Sequence, residues 1–470
     1  MGVISPVGND VKTFWNSLIN GVCGIDYIKD FPTDNLPVRI AGKVKDFHPE
    51  EYGMDKAFSR KQDLFTQYGV AAAYEAMQQA GLVSEGEGQN IDPFRLGVYV
   101  GSGIGGFEIQ YRETAKMIED PSGQWISPLF IPTMISNIAA GHIAIKHHAQ
   151  GPCIDVVTAC ATSTNNIGEA FRAIRNGYAD AIIAGGCENA TIPLGIAGFA
   201  NAKALSRAEN PKYASLPFNA NRAGFVMGDG AGILVLEELE HAKARGAKII
   251  AEIVGYGNTC DAYHATAPRP EGTTQAKCIE LALEEAGFNK ETDKMYINAH
   301  GTGTRLNDVA ETKAYKLALG DYAYKAHISS IKCMTGHMFG AAGAAEAIAT
   351  ILALNNSLIP PTINLDTPDP ECDLDYTPNT AVKTDLTIGI SDSLGFGGHN
   401  ACVAFRIRGL NQNERTKTRT YMNKKDIKQF LPHREPMLLV DEAEIDENGI
   451  AHCKYTIKED EFFTRGHFPG

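Results

Sequence analysis

Among the ten cysteines of the sequence there is no C-x-x-C pair and no grouping with histidine at metal-ligand spacing. Neither a zinc site nor a disulfide framework is therefore expected to organise the chain. A signal peptide ahead of the first structured motif is missing as well, and scattered free thiols predict a reducing, cytoplasmic setting. Positive charge is in deficit: Lys and Arg number 43 against 56 Asp and Glu, a formal net charge of −13. That balance argues against a general nucleic-acid or anionic-membrane binder, both of which need a basic surface. No apolar run is long enough to span a bilayer. The longest, Phe339 to Leu354, contains Glu346 and is rich in glycine and alanine, so it reads as a tightly packed internal helix.

What is present exceeds one ordinary core. A chain of 470 residues predicts at least two structural units, and 47 glycines predict many tight turns. The most informative stretch runs from Ile154 through Asp155-Val156-Val157-Thr158-Ala159-Cys160 to Gly168. An apolar β-branched run stops in small residues and gives way to Glu169–Arg175, where apolar positions recur at helical spacing. Cys160 thus falls on a strand-to-helix turn, where the unpaired N–H groups and positive dipole end of the helix favour a thiolate nucleophile.

Helical patterns cover Val11–Ile19 and Phe65–Ala80, and buried strands are expected at Leu96–Val100, Ala179–Gly186, Gly230–Leu236, Met295–Asn298 and His327–Ile331. The start, Met1 to Asp10, sets a glycine turn with no strand before it. After Leu96–Val100 comes Gly101-Ser102-Gly103-Ile104-Gly105-Gly106, which satisfies G-x-G-x-x-G. A dinucleotide site needs a tight βαβ unit with an acidic residue ending the next strand, and here a loop from Glu119 to Trp125 follows. Glycines that let the backbone approach some other group are the better reading.

The stretches beginning at Thr158 and at Lys332 share one plan of strand, reactive turn and small-residue helix. Strands alternating with helices predict parallel sheets covered by helices, in two related halves, 1–247 and 248–407. Ligands on such sheets lie at the carboxyl ends of the strands, where Cys160, His300, Lys332 and His337 would meet in one crevice.

Thr158-Ala159-Cys160, Asn298-Ala299-His300-Gly301-Thr302-Gly303-Thr304, Ser330-Ile331-Lys332-Cys333-Met334-Thr335-Gly336-His337 and Gly395-Phe396-Gly397-Gly398 resemble, in order, the signature of the β-ketoacyl-acyl-carrier-protein synthases, most closely the elongating type II enzymes. The resemblance covers residues 1 to about 407. It implies the α/β thiolase fold with duplicated αβαβα layers, a homodimer, and no cofactor, the substrates arriving on the 4′-phosphopantetheine of acyl carrier protein. It implies Cys160 as acyl carrier, with His300 and His337 as donors to the enolate formed by decarboxylation. Lys332 would hold this network in register, supported by Glu311 and Glu346. The N–H groups of Cys160 and Phe396 would form the oxyanion hole, Phe396 also gating the acyl chain. Thr302 and Thr304 match contacts to the phosphopantetheine arm, and Ile104 an acyl-pocket wall. Arg60, Lys61, Lys203, Arg207 and Lys212 match a basic docking patch for an acidic carrier protein.

The chain departs from the family pattern at Asp392-Ser393-Leu394-Gly395-Phe396-Gly397-Gly398-His399-Asn400, where N-S-F-G-F-G-G-T-N is usual, and at Asn219 and Ala223. These differences bear on substrate preference more than on reaction type. A thiolase would carry a second cysteine where this chain has His337, and a non-catalytic chain-length-factor partner would lack Cys160.

From Arg406 to Lys428 the composition turns basic and polar, and 408–421 reads as a linker. Residues 422–470, with Phe430-Leu431-Pro432-His433 and Gly466-His467-Phe468-Pro469-Gly470, resemble the opening of a 3-hydroxyacyl-carrier-protein dehydratase, a partial α+β hotdog segment. His467 matches its catalytic histidine, but the helix with the acidic partner is absent, so no dehydratase activity is expected. The family's first strand is expected ahead of Gly2, which makes the chain read as part of a larger synthase–dehydratase fusion.

Overall fold

Ten strands build two sheets of the same design. In the first half they are β1 (Gly2–Ile4), β2 (Leu96–Gly101), β3 (Cys153–Ile154), β4 (Ala181–Glu188) and β5 (Gly230–Glu237), in spatial order β1-β5-β4-β2-β3. In the second they are β6 (Glu252–Cys260), β7 (Met295–Asn298), β8 (His327–Ser329), β9 (Ile388–Gly395) and β10 (His399–Arg406), in the order β6-β10-β9-β7-β8. Each strand of the second sheet occupies the place of the strand five earlier, so the duplication extends to topology. The computed structural model describes residues 1–407, which form one compact unit, and, of the unit 408–470, the backbone of Thr420–Asn423, Glu442–Ile445 and Ala451–Lys454.

The sheets are mixed rather than wholly parallel. β2, β3 and β4 run parallel, as do β7, β8 and β9, while β5 and β1, like β10 and β6, are antiparallel additions. Residues 189–229 return the chain beside β4 in the opposite direction without a crossover helix of the βαβ kind, a connection that apolar patterning does not reveal. The expected absence of a first strand is corrected too. Gly2, Val3 and Ile4 pair with Ile233, Gly232 and Ala231 and are buried. Three residues carry too little periodicity to announce a strand.

The helices α1 (Leu64–Ala80) and α3 (Thr273–Glu285) cover the outer faces of the first and second sheets, with α4 (Arg305–Leu319) beside α3. Between the sheets lie α2 (Thr162–Arg175) and α5 (Ala342–Asn356), which completes five layers, α/β/α/β/α. The expected internal helix is α5, twelve of whose 15 residues are buried. Its small residues let it touch α2 directly: a Cβ on Gly343 would overlap Thr164 Oγ1. The largest apolar cluster, including Ile167, Ile348, Leu234 and Val403, is the filling between the two sheets.

The separate unit 408–470 contributes a three-stranded antiparallel meander of the strands named above. Thr420 and Tyr421, expected in the linker, already belong to its first strand. His467 lies outside the described residues.

Candidate active site

The parallel strands of both sheets point their carboxyl ends at one region. Cys160 follows β3, His300 follows β7, Lys332 and His337 follow β8, and Phe396 follows β9. A cavity of about 620 Å³ there is lined by Cys160, His300, His337, Phe396, Thr302 and Thr304 together, a volume ordinary for a small-molecule site. Residues separated by well over a hundred positions thus meet as the crossing of the strand ends requires.

The segment leading to Cys160, expected as a strand running into a helix, is a strand for only two residues. Only Cys153 and Ile154 pair, with Val98 and Tyr99, and Ile154 and Val157 are 42% and 48% exposed. Past them the backbone donors go to helix side chains: Val156 N–H donates to Asn166 Oδ1 at 3.1 Å and Thr158 N–H to Thr162 Oγ1 at 2.9 Å. A 3-10 turn, Ala159–Ala161, then sets Cys160 at the foot of α2, with Ala159 at φ +51°. That left-handed step costs on the order of 1 kcal/mol for a non-glycine residue and is held by the surrounding packing.

Helix placement was expected to favour the thiolate, and burial reverses this. Desolvation pushes the Cys160 thiol up to about 12, with Glu188 adding to the rise, while Lys332 and the N–H groups of Phe396 and Cys160 itself act against it. A thiol in this state would need a proton acceptor to act as a nucleophile, and two neutral imidazoles stand on the same cavity wall. Burial first, and then the charge of Lys332, holds both histidines well below the usual imidazole range. Their rings are 5.3 Å apart and perpendicular, and neither Nδ1 has a hydrogen-bond partner. His337 is fixed through its backbone: its N–H donates to Val226 O at 2.7 Å and its carbonyl accepts from Gly228 at 2.8 Å. Phe225 and Phe339 pack on its ring.

Lys332, Glu346 and Glu311 stand behind the cavity wall rather than on it. Lys332 Nζ bonds Glu346 on α5, both side chains about 2% exposed. Burial, opposed by Lys332, raises the Glu346 carboxyl to about 7. Glu311 on α4 accepts from Gly301 N–H at 2.9 Å and so pins the peptide after His300. Phe396, 37% exposed, rests near Phe199 at 6.4 Å between ring centres. Thr302 and Thr304 share a hydrogen bond of 3.1 Å on the wall.

Ile104 is not on this cavity; it is 38% exposed on the loop after β2. Of the basic residues expected to dock a partner, Lys203 reaches the cavity wall, whereas Arg60, Lys61, Arg207 and Lys212 are exposed and away from it. Sequence reasoning missed two other cations on the wall, Arg269 and Arg305, and the phenyl rings of Phe199, Phe225 and Phe339. Arg305 was within reach, since it directly follows the Gly301–Thr304 motif.

The glycine-rich loop wraps a carboxylate. Ser102 Oγ donates to Glu188 Oε1 at 2.5 Å, and the N–H groups of Gly103 and Gly340 donate to Oε2 at 2.8 and 3.0 Å. A Cβ on Gly101 would overlap Asp155 Oδ1, so close approach explains the glycine. Among the described residues no cluster of His, Cys, Asp and Glu is placed to hold a metal ion, and no helix is long and apolar enough to cross a membrane.

A half-buried thiol, two neutral imidazoles and backbone donors at the strand ends of a duplicated α/β/α/β/α fold mark the class of acyl-transfer enzymes with the thiolase fold. Residues 1–242 match the N-terminal domain of beta-ketoacyl synthase and residues 250–366 its C-terminal domain. The chain belongs to the β-ketoacyl synthase family. It is 48% identical over 407 residues to 3-oxoacyl-[acyl-carrier-protein] synthase 2 of Staphylococcus aureus, covering 86% of this chain and 99% of that protein. With the protein of the same name from Synechocystis it shares 47% over 408 residues, 86% and 96% of the two chains. Among solved structures it is similar to a beta-ketoacyl synthase from Burkholderia phymatum, with 33% identity, a TM-score of 0.79, and 86% and 97% of the chains covered. It is also similar to the ketosynthase structure described as a type II polyketide acyl-carrier protein in complex with its ketosynthase bound to the hexaketide, with 34% identity, a TM-score of 0.78, and 86% and 97% covered. These matches leave the dehydratase-like reading of 422–470 without support.

Proposed function

We propose that the chain is an acyltransferase that condenses an acyl group held on Cys160 with malonyl-acyl-carrier protein, giving 3-oxoacyl-acyl-carrier protein, carbon dioxide and free carrier protein in fatty acid elongation. The observation that carries this is the single cavity shared by Cys160, His300, His337 and Phe396. In the first half-reaction the sulfur attacks the carrier thioester, its proton passes to a neutral imidazole and leaves with the carrier thiol. The N–H groups of Cys160 and Phe396 receive the developing oxyanion. In the second, malonyl thioester loses carbon dioxide and the electron pair of the broken C–C bond moves onto the thioester oxygen as an enolate, to which His300 and His337 donate. The enolate carbon attacks the acyl-Cys160 carbonyl, and collapse expels the sulfur as a thiolate, which takes up from solvent the one proton that the whole condensation consumes.

The chain needs no cofactor of its own, because the acyl groups arrive on the 4′-phosphopantetheine of acyl carrier protein. Lys203, Arg269 and Arg305 on the wall suit the phosphodiester of that arm, with Thr302 and Thr304 beside it. Arg60, Lys61 and Arg207 offer exposed positive charge to the acidic carrier. A homodimer is supported by the sheet edge at β3, where Ile154 and, beyond the strand, Val157 are exposed; covered by a second copy, Ile104 would face an acyl chain. The halves divide near 247, and a cytoplasmic setting fits the free thiols. Residues 422–470 we take as a hotdog dehydratase-like segment, in which His467 matches that family's catalytic histidine.

The central reading is tested by intact mass and carbon dioxide release. Acyl-carrier protein should add one acyl group at Cys160, and Cys160→Ala should abolish it. Replacing His300 or His337 by Ala should slow decarboxylation of malonyl-carrier protein by about 10² to 10³ fold. Acylation elsewhere, or unchanged decarboxylation, would refute it.

A further inference from the structure

Behind the His300 loop two buried acids and a phenol make contacts for which there are too few protons. The Tyr315 hydroxyl lies 2.7 Å from Glu311 Oε1 and 2.8 Å from Asp392 Oδ1, and all three side chains are buried. A phenol carries a single proton and donates a single hydrogen bond. With both carboxyls ionised, one of these contacts would press lone pair against lone pair between buried anions, and carboxylates sharing a site do not both ionise. We propose that Glu311 and Asp392 share one proton through Tyr315, and that this acid dyad is a positioning device tying the strand that carries Phe396 to the loop that carries His300. The consequence for activity rests on the condensing function above; the shared proton does not.

The connections outward give the device its reach. Glu311 Oε2 accepts from Gly301 N–H and from Asn307 Nδ2, each at 2.9 Å. Asp392 Oδ2 accepts at 3.4 Å from Gln275 Nε2, a residue of the cavity wall. An unbroken path therefore runs from the cavity through Gln275, Asp392, Tyr315 and Glu311 to the peptide next to His300. The groups facing the dyad mostly favour keeping the proton: Asp308 bears on Glu311 and Glu346 on Asp392, while the Cys278 and Cys402 thiols and the Tyr376 phenol nearby are held neutral. Lys332 alone among them favours an ionised Asp392. Burial raises both carboxyls above the ordinary carboxylate range.

Asp392→Asn separates the proton from the hydrogen bond. Its amide donates to the Tyr315 oxygen, Tyr315 donates to an ionised Glu311, and nothing more is required. Infrared difference spectra of the full chain against Asp392→Asn at neutral pH should contain the C=O band of a protonated carboxyl. That band should vanish as the pH is raised, in step with an alkaline loss of condensation absent from the variant. Activity of the variant at neutral pH should differ from the parent by no more than about fivefold, the net worth of one neutral hydrogen bond. No carboxyl band in the difference spectrum would overturn the proposal. If Asp392→Asn does not fold, Tyr315→Phe serves, since loss of the bridge must shift the same band and an unshifted spectrum overturns the sharing. A band present in a chain without condensing activity would sustain the dyad and refute the function.

Discussion

Lys332→Met isolates what the buried cation does, because it removes a charge from two groups that respond in opposite ways. The substitution leaves the Glu346 carboxyl about 2% exposed with its only charged partner gone. Breaking a buried ion pair on one side costs about 3 to 5 kcal/mol when the remaining charge persists. Glu346 limits that cost by taking a proton, for burial has already raised it to about 7 with Lys332 in place. Without the lysine its pKa rises further, so between about 7 and this higher value the folded variant holds a proton that the folded parent has released. Stability of the variant relative to the parent must then fall as pH rises, by about 1.4 kcal/mol per pH unit across that window. Urea midpoints at pH 6 and pH 8 should show the smaller deficit at pH 6, and Glu346→Gln in the Lys332→Met background should remove the pH dependence. On the cavity side Lys332 is the second cause, after burial, of the lowered His300 and His337 pKa values. Its loss should move the acid limb of malonyl decarboxylation to higher pH, still short of an exposed imidazole because burial remains. An equal stability deficit at both pH values, or an unmoved acid limb, would refute the reasoning.

Glu188→Ala should destabilise the chain by about 3 kcal/mol, since the N–H groups of Gly103 and Gly340 and the Ser102 hydroxyl all lose their buried acceptor; thermal denaturation measures it, with Glu188→Gln expected to lose less. Gly343→Val should cost about 3 kcal/mol or prevent soluble expression, because the added carbons enter the space of Thr164 Oγ1 between the central helices; Thr164→Ala in the same chain should return part of the loss.

The residues that meet at the cavity were legible because each sits in a short motif at a strand end, where neighbouring small residues fix the turn: Thr158 to Ala161, Ala299 to Thr304, Lys332 to His337, Gly395 to Gly398. The helices α1 and α5 were legible from periodicity and composition. What stayed hidden depends on distance along the chain. The three-residue strand β1 is defined by its pairing with Ile233, Gly232 and Ala231, not by its own pattern. The antiparallel additions to each sheet follow from connections that apolar alternation does not distinguish. The charge state of Cys160 was misread because the helix end is local and readable, whereas the burial that outweighs it comes from surrounding side chains distant in sequence. The glycine-rich loop posed the same difficulty: its partner, Glu188, lies 85 residues beyond Gly103.

Three acidic sites brace the catalytic loops, and their protonation follows one logic. Glu188 holds the loop after β2 to Gly340 ahead of α5, Glu346 holds Lys332, and Glu311 with Asp392 holds the peptide after His300. Burial raises Glu188 and Glu346 to about 7. An acid whose folded pKa exceeds its unfolded value binds more protons when folded, so its contribution is fully present below the unfolded pKa and is lost as pH rises through the folded one. Glu188 and Glu346 therefore oppose the usual acid denaturation driven by paired carboxylates, and they withdraw support between about pH 4 and 7. Burial and then Lys332 hold both histidines well below the usual imidazole range, so the imidazoles stay neutral over the range in which the frame releases its protons. Titrating the parent chain with Glu188→Gln and Glu346→Gln should accordingly separate a stability that declines across pH 5 to 7 from a decarboxylation rate whose acid limb lies lower, and coincident transitions would contradict this division between frame and cavity.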